Sequence, residues 1–170
     1  MNRKLFGALL IIISCGGCGF SVASAYKAEV KVYKNLISAL ALMKAELQYR
    51  LTSLPELCDW ISGEVHGPIR VIFSKFAQEL QTWTCPDAAS CMRKVISEDR
   101  KLPSSIKKLL TDLGNILGRF DLNGQIEGLD MIKEECMSQL QSLNNHNEER
   151  LRGYQTLGLC AGAALVILFI

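Results

Sequence analysis

The chain has 170 residues, 49% of them hydrophobic and only 7% aromatic, with 19 lysines and arginines against 17 aspartates and glutamates. So apolar a composition excludes an intrinsically disordered chain, and the shortage of aromatics argues against a β-sandwich. The charges are unevenly placed: residues 5–25 and 153–170 carry none, and only Arg3 and Lys4 lie outside the stretch between them. Within residues 26–152 seventeen charges of each sign cancel, so net charge gives nucleic-acid binding no support.

The first apolar segment, residues 5–25, is long enough to cross a bilayer as a helix, which takes about 17–25 residues. Three readings compete. Basic Met1–Lys4 and the small residues Val22–Ala25 fit a cleaved secretory signal. Cys15, after a short apolar run, resembles the acylated cysteine of a bacterial lipoprotein, which would make the rest an exported binding module. The third reading is an uncleaved anchor. Just past the segment, Lys27, Lys31 and Lys34 follow i, i+4, i+7 spacing and so share one helix face. They read as a membrane-surface collar, each charge worth about 1 kcal/mol beside anionic headgroups.

Residues 26–152 are predicted to form six helices, joined by short connections into an antiparallel all-α bundle. Helix one, over 26–51, carries Tyr33, Leu36, Ile37, Leu40, Met43, Leu47 and Leu51 on its apolar stripe. Helix two, about 54–63, opens on Ser53 and Glu56, which have capping-box spacing, with Pro55 in its first turn. Helix three, over 68–83, follows Gly63 and Gly67, placed where a helix stops, and its stripe includes Ile69, Ile72, Phe73, Phe76, Leu80 and Trp83. Helix four, about 87–98, has Asp87 as N-cap, and helix five, over 102–118, ends at Gly118. Helix six starts at the N-cap Asp121 and carries Leu122, Ile126, Leu129, Ile132, Cys136, Leu140 and Leu143; Gly124 and Gly128 weaken its beginning. The four prolines, Pro55, Pro68, Pro86 and Pro103, mark helix starts. An even number of antiparallel helices returns the chain to the membrane. Turns 52–54, 84–87 and 118–121 then fall at the far tip, and turns 63–68 and 99–103 near the bilayer.

No pattern of catalytic chemistry stands out. His66 and His146 have no neighbours suggesting a triad. Cys15 and Cys18 match C-x-x-C in an apolar segment, where small residues serve helix packing. Cys85 and Cys91 lack a second pair at zinc spacing, and no glycine-rich phosphate loop occurs. The expectation is a non-enzymatic protein with no metal, cofactor, nucleic acid or small-molecule substrate. Cys58 and Cys136 fall on apolar helix faces and read as reduced thiols acting as small hydrophobes.

The second apolar segment, residues 153–170, is a C-terminal transmembrane candidate. Gly158 and Gly162 give it the G-x-x-x-G spacing that lets membrane helices approach closely. Arg150 and Arg152 precede it and complete the basic collar. With Lys27, Lys31 and Lys34 they put more near-membrane charge on the central domain's side than Arg3 and Lys4 supply opposite. The positive-inside rule therefore predicts a two-pass protein, residues 1–25 and 153–170 anchoring a cytoplasmic domain at 26–152.

Two stretches carry a family resemblance. One is Leu36 to Tyr49 (LISALALMKAELQY) continuing through Thr52 to Glu56 (TSLPE); the other is Leu113 to Gly118 (LGNILG) followed by Asp121 and Gln125. In this order, between two apolar ends, the chain resembles the stage III sporulation protein AB family of endospore-forming bacteria over nearly its whole length. Ser53 departs from the proline expected there. The resemblance implies a non-enzymatic component of the secretion-like channel between mother cell and forespore. Its location would be the mother-cell membrane around the forespore, with a cytosolic domain similar to the inner-membrane platform protein of type II secretion systems. Implied partners are a sporulation secretion-type ATPase, other membrane subunits of the channel and membrane lipids. Both motifs fall at the predicted distal tip, which makes Glu56, Asp59, Arg119, Phe120 and Gln125 the candidate partner-docking residues.

Overall fold

The computed structural model describes the backbone of residues 2–50, 52–82, 85–99, 102–118 and 121–169, and the side chains of 26–50, 52–82, 85–99, 102–118 and 121–145. Within those residues the chain forms six helices and no strand: α1 (Asn2–Tyr49), α2 (Leu54–Glu64), α3 (Gly67–Gln81), α4 (Ala88–Glu98), α5 (Ser104–Ile116) and α6 (Leu122–Phe169). Among the described residues no helix is long and apolar enough to cross a membrane. The side chains of both apolar ends, including Cys15, Gly158 and Gly162, lie outside them.

The chain divides into two compact units. One comprises Met1–Val30 with Gln141–Ile170, and in it the Tyr26 hydroxyl donates to Asn144 Oδ1 at 2.5 Å. The other, Lys31–Leu140, falls inside the expected central domain and holds the core.

In that second unit the apolar stripes meet as their periodicity demands. Leu36, Leu40 and Met43 of α1, Ile69, Ile72, Phe73 and Phe76 of α3, and Ile106, Leu110 and Leu113 of α5 are buried almost completely. The short helices contribute Leu57, Cys58 and Ile61 from α2, and Cys91, Met92 and Val95 from α4. Tyr33 carries a hydroxyl into this interior and satisfies it. The hydroxyl donates to Gln139 Oε1 at 2.9 Å and meets Ser105 Oγ at 2.8 Å, tying together α1, α5 and α6.

Cross-helix contacts fix the directions. Rising numbers on α1 meet falling numbers on α6: Tyr33 with Gln139, then Lys44 with Asp130 at 2.6 Å. The same holds for α3 and α4, where Lys75 pairs with Glu98 and Glu79 with Lys94. These helix pairs run antiparallel.

Local starts and stops depart from expectation in instructive ways. Asp87 and Asp121 cap as expected, their Oδ1 atoms accepting from the N–H of Ser90 at 2.7 Å and of Gly124 at 3.1 Å. The Ser53–Glu56 capping box does not form: Ser53 occupies the N-cap, but its side chain makes no cap bond. Pro55 stands at the second helical position and has no N–H to offer, which removes one of the two donors a capping hydroxyl uses. Gly63 does not end α2, which runs on to Glu64 and is stopped by extended Val65, whose side chain enters the core. Pro55 and Pro68 sit inside first turns, whereas Pro86 and Pro103 stand just before theirs. Gly118, at φ +77°, ends α5 in the left-handed conformation open to glycine. Gly128 is an opening for α5 as well as a weak helix former, because a Cβ there would lie 2.7 Å from Ile116 Cγ2. On α6, Leu122 is exposed rather than a core residue.

Candidate partner-docking site

One end of the second unit is built from the α1–α2 and α5–α6 connections. Thr52 donates to Glu46 Oε1 at 2.8 Å, folding the chain back immediately after α1. On the other side, the left-handed turn at Gly118 and the Asp121 cap start α6, and Gln125 N–H donates to the Asp121 carbonyl at 2.9 Å. Between them lies an open depression of about 280 Å³, lined by Leu47, Thr52, Leu54, Gly118, Leu122 and Gln125. Residues far apart in sequence thus share one surface. The start of α4 belongs to the same end, since a Cβ on Gly118 would lie 4.0 Å from Ala88 Cβ. Thr52, Leu54, Gly118 and Ala88 are thus brought to one end of the second unit.

Of the candidate docking residues, Gln125 lines the depression. Glu56 is exposed in the first turn of α2, beside the lining residue Leu54, and Asp59 is exposed further along the same helix, outside the lining. Arg119 and Phe120 lie outside the described residues. Sequence reasoning missed Leu122 and Tyr49. Tyr49 is 84% exposed at the end of α1, where a large aromatic has no core to enter. Its signal was present, because Tyr49 stands off the stripe of Leu36, Leu40, Met43 and Leu47. The chemistry of this end is that of a shallow, partly apolar seat with polar edges.

The collar candidates Lys27, Lys31 and Lys34 are all exposed, while Arg150 and Arg152 fall outside the described side chains. Among the described residues, no group of three or more histidines, cysteines or carboxylates is arranged to hold a metal. The four described cysteines are free thiols. Burial pushes the Cys58 thiol far up, and burial with the nearby Glu135 carboxylate takes Cys136 up to about 12. Both stay protonated at neutral pH and fill helix interfaces, Cys136 lying 3.8 Å from the Tyr33 carbonyl oxygen.

Comparison with known proteins agrees with this layout. A relative from Bacillus subtilis (strain 168), a stage III sporulation protein AB, is 25% identical over 170 residues, covering 97% of this chain and 98% of the relative. A solved structure of a stage III sporulation protein AB shares the fold with a TM-score of 0.64 at 18% identity, covering 72% of this chain and 98% of its own. The profile of that family matches residues 4–170, and the chain belongs to the stage III sporulation protein AB family.

Proposed function

We propose that this protein is a non-enzymatic, membrane-anchored assembly component of a secretion-like channel required for endospore formation. In this reading the apolar ends anchor it in the mother-cell membrane, Lys27, Lys31, Lys34, Arg150 and Arg152 rest on anionic headgroups, and the central domain is cytoplasmic. A secretion-type ATPase and other channel subunits dock on it. The ATPase seats at the end farthest from the lipid, on Gln125, Glu56 and the depression that Gln125 lines, with Asp59, Arg119 and Phe120 as further contacts.

The observation that carries this reading is the meeting of two separate family-like stretches around one surface. Leu47, Thr52 and Leu54 come from the first, Gly118 and Gln125 from the second. Core packing needs neither Gln125, which is only part-buried, nor Glu56, which is exposed. Membership of the sporulation family supplies the biological setting.

The test is site-specific photo-crosslinking in sporulating cells. A photoreactive residue replacing Gln125 should capture the ATPase subunit, and the same residue replacing exposed Ser74 on α3 should not. Capture from Ser74 with none from Gln125 would move the docking surface to a helix flank.

A further inference from the structure

The outward faces of α1 and α6 in the second unit carry opposite charge. Between residues 31 and 50 the exposed charges are all cationic: Lys31, Lys34 and Arg50. Between residues 121 and 140 they are all carboxylates: Asp121, Glu127, Glu134 and Glu135. Size divides in the same way. Ser38, Ala41 and Ala45, at i, i+3 and i+7, give α1 an exposed face of small side chains. On α6, Met131 stands between Glu127 and Glu134 at i, i+4 and i+7 and is 72% exposed.

The cross-helix bonds set these residues in register. Tyr33 meets Gln139 and Lys44 meets Asp130 across the antiparallel pair. Met131 therefore lies level with Met43, between Ala41 and Ala45. Glu127 lies level with Leu47, and Arg50 stands three residues, or about 4.5 Å, beyond that level. Side chains lean toward the N-terminus of their own helix, so Arg50 and Glu127 lean toward each other's level.

We propose that these two faces form a self-association surface, on which two copies pointing the same way pack α1 of each against α6 of the other about a two-fold axis parallel to the helices. Such an axis keeps every residue at its own height, so residues level within one copy are level across the interface. Met131 of each copy then enters the space over Ala41 and Ala45 of the other, and Arg50 of each meets Glu127 of the other. Every contact occurs twice, as an isologous interface requires. The occupant is a second copy because the two faces complement each other and not themselves. Packing α1 on α1 would set cations against cations, and α6 on α6 carboxylates against carboxylates. Arg50 is held only loosely within its own chain, 3.8 Å from Glu46. Lys44 and Asp130, between the two faces, already neutralise each other, so the contact buries no lone charge there. The ATPase seat draws on other residues, so either surface can fail while the other stands.

The experiment is sedimentation velocity of the full chain in detergent over a dilution series. Wild type should pass from dimer to monomer with a single Kd. Met131→Asp and Arg50→Glu should each raise that Kd about tenfold or more, while Ser74→Glu on the α3 flank should leave it unchanged. Arg50→Glu combined with Glu127→Arg in one chain exchanges the signs across the interface and should restore the wild-type Kd. All these residues are exposed, and helical circular dichroism of each variant checks the fold. A photoreactive phenylalanine analogue replacing Ala41 should join two copies, with the adduct on the tryptic peptide of residues 120–133, which contains Met131. The proposal is overturned if wild type is monomeric throughout, or if its dimer survives Met131→Asp and Arg50→Glu unchanged, which would place self-association on another surface. Loss of the dimer in Arg50→Glu without recovery in the exchanged pair equally overturns it.

Discussion

Gly114 is the position where the packing can be tested most sharply. It lies on the buried face of α5 against α4, and a Cβ added there would sit 2.7 Å from Met92 Cβ, 3.1 Å from Met92 Cγ and 3.4 Å from the Ala89 Cα. Carbon atoms in favourable contact lie about 3.5–4.0 Å apart, so the closest contact is short by roughly 1 Å. Met92 cannot relieve it by changing rotamer, because rotation about its first side-chain bond moves Cγ and leaves Cβ in place. The helices themselves must part. Overpacking of this kind costs about 1–3 kcal/mol, against a gain of about 1 kcal/mol from replacing glycine by alanine within a helix. Gly114→Ala should therefore lose about 1 kcal/mol net. Gly63 in α2 is the control: it is helical and meets nothing within 4 Å, so Gly63→Ala should gain about 0.5–1 kcal/mol. The assay is urea unfolding of the full chain in detergent, followed by helical circular dichroism. If Gly114→Ala stabilises as much as Gly63→Ala, the close approach of α4 and α5 is wrong.

Three further outcomes follow from particular groups. Asp87→Ala should lose about 1 kcal/mol, as removal of a working N-cap does, whereas Ser53→Ala should leave stability unchanged because that side chain makes no cap bond; paired melting curves check the contrast. Stability should fall as pH rises above the ordinary thiol range, about 8.5, towards the value of about 12 at Cys136. The unfolded chain there has released protons the folded chain still holds, so the slope of unfolding free energy against pH is negative. Cys136→Ala should show a shallower decline between pH 8 and pH 10, and an identical one would remove the buried thiol as its cause. For topology, Cys58, Cys91 and Cys136 are buried and report nothing by staying unlabelled, so a cysteine at exposed Ser74 in a background of Cys85→Ser is the proper probe. An impermeant maleimide should miss it in intact cells and reach it after permeabilisation; labelling before permeabilisation would place the domain outside.

The long stripes were legible in sequence because helical period and burial coincide in them. Leu36, Leu40 and Met43, or Leu109, Leu110 and Leu113, recur at helical spacing and are buried together. Where a second interaction competed, the pattern misled. Leu122 kept the spacing of the α6 stripe, but it stands in the first turn, beyond the reach of the core, and remains exposed. Ser53 and Glu56 had the letters of a capping box, and Pro55 between them withheld an N–H. Gly128 read as a defect in α6 because the sequence cannot reveal that Ile116 comes against it. The candidate site was half legible. Parity of the helix count placed turns 52–54 and 118–121 at one end, while the depression depends on how Leu47, Leu54 and Leu122 pack, which no spacing rule specifies.

The proposed docking of a secretion-type ATPase on the end of the bundle that carries Gln125 is tested most directly by an affinity. Titration of the purified ATPase against the full chain in nanodiscs, by fluorescence anisotropy, measures it. Glu56→Lys, Leu122→Asp and Gln125→Arg each alter an exposed or part-exposed residue there, so melting temperatures should hold within a degree or two of wild type. Each should weaken binding by about tenfold or more, equivalent to about 1.4 kcal/mol, while Ser74→Glu on the α3 flank should bind as wild type does. Unchanged affinity in all three tip variants, with loss in the flank variant, would contradict the account.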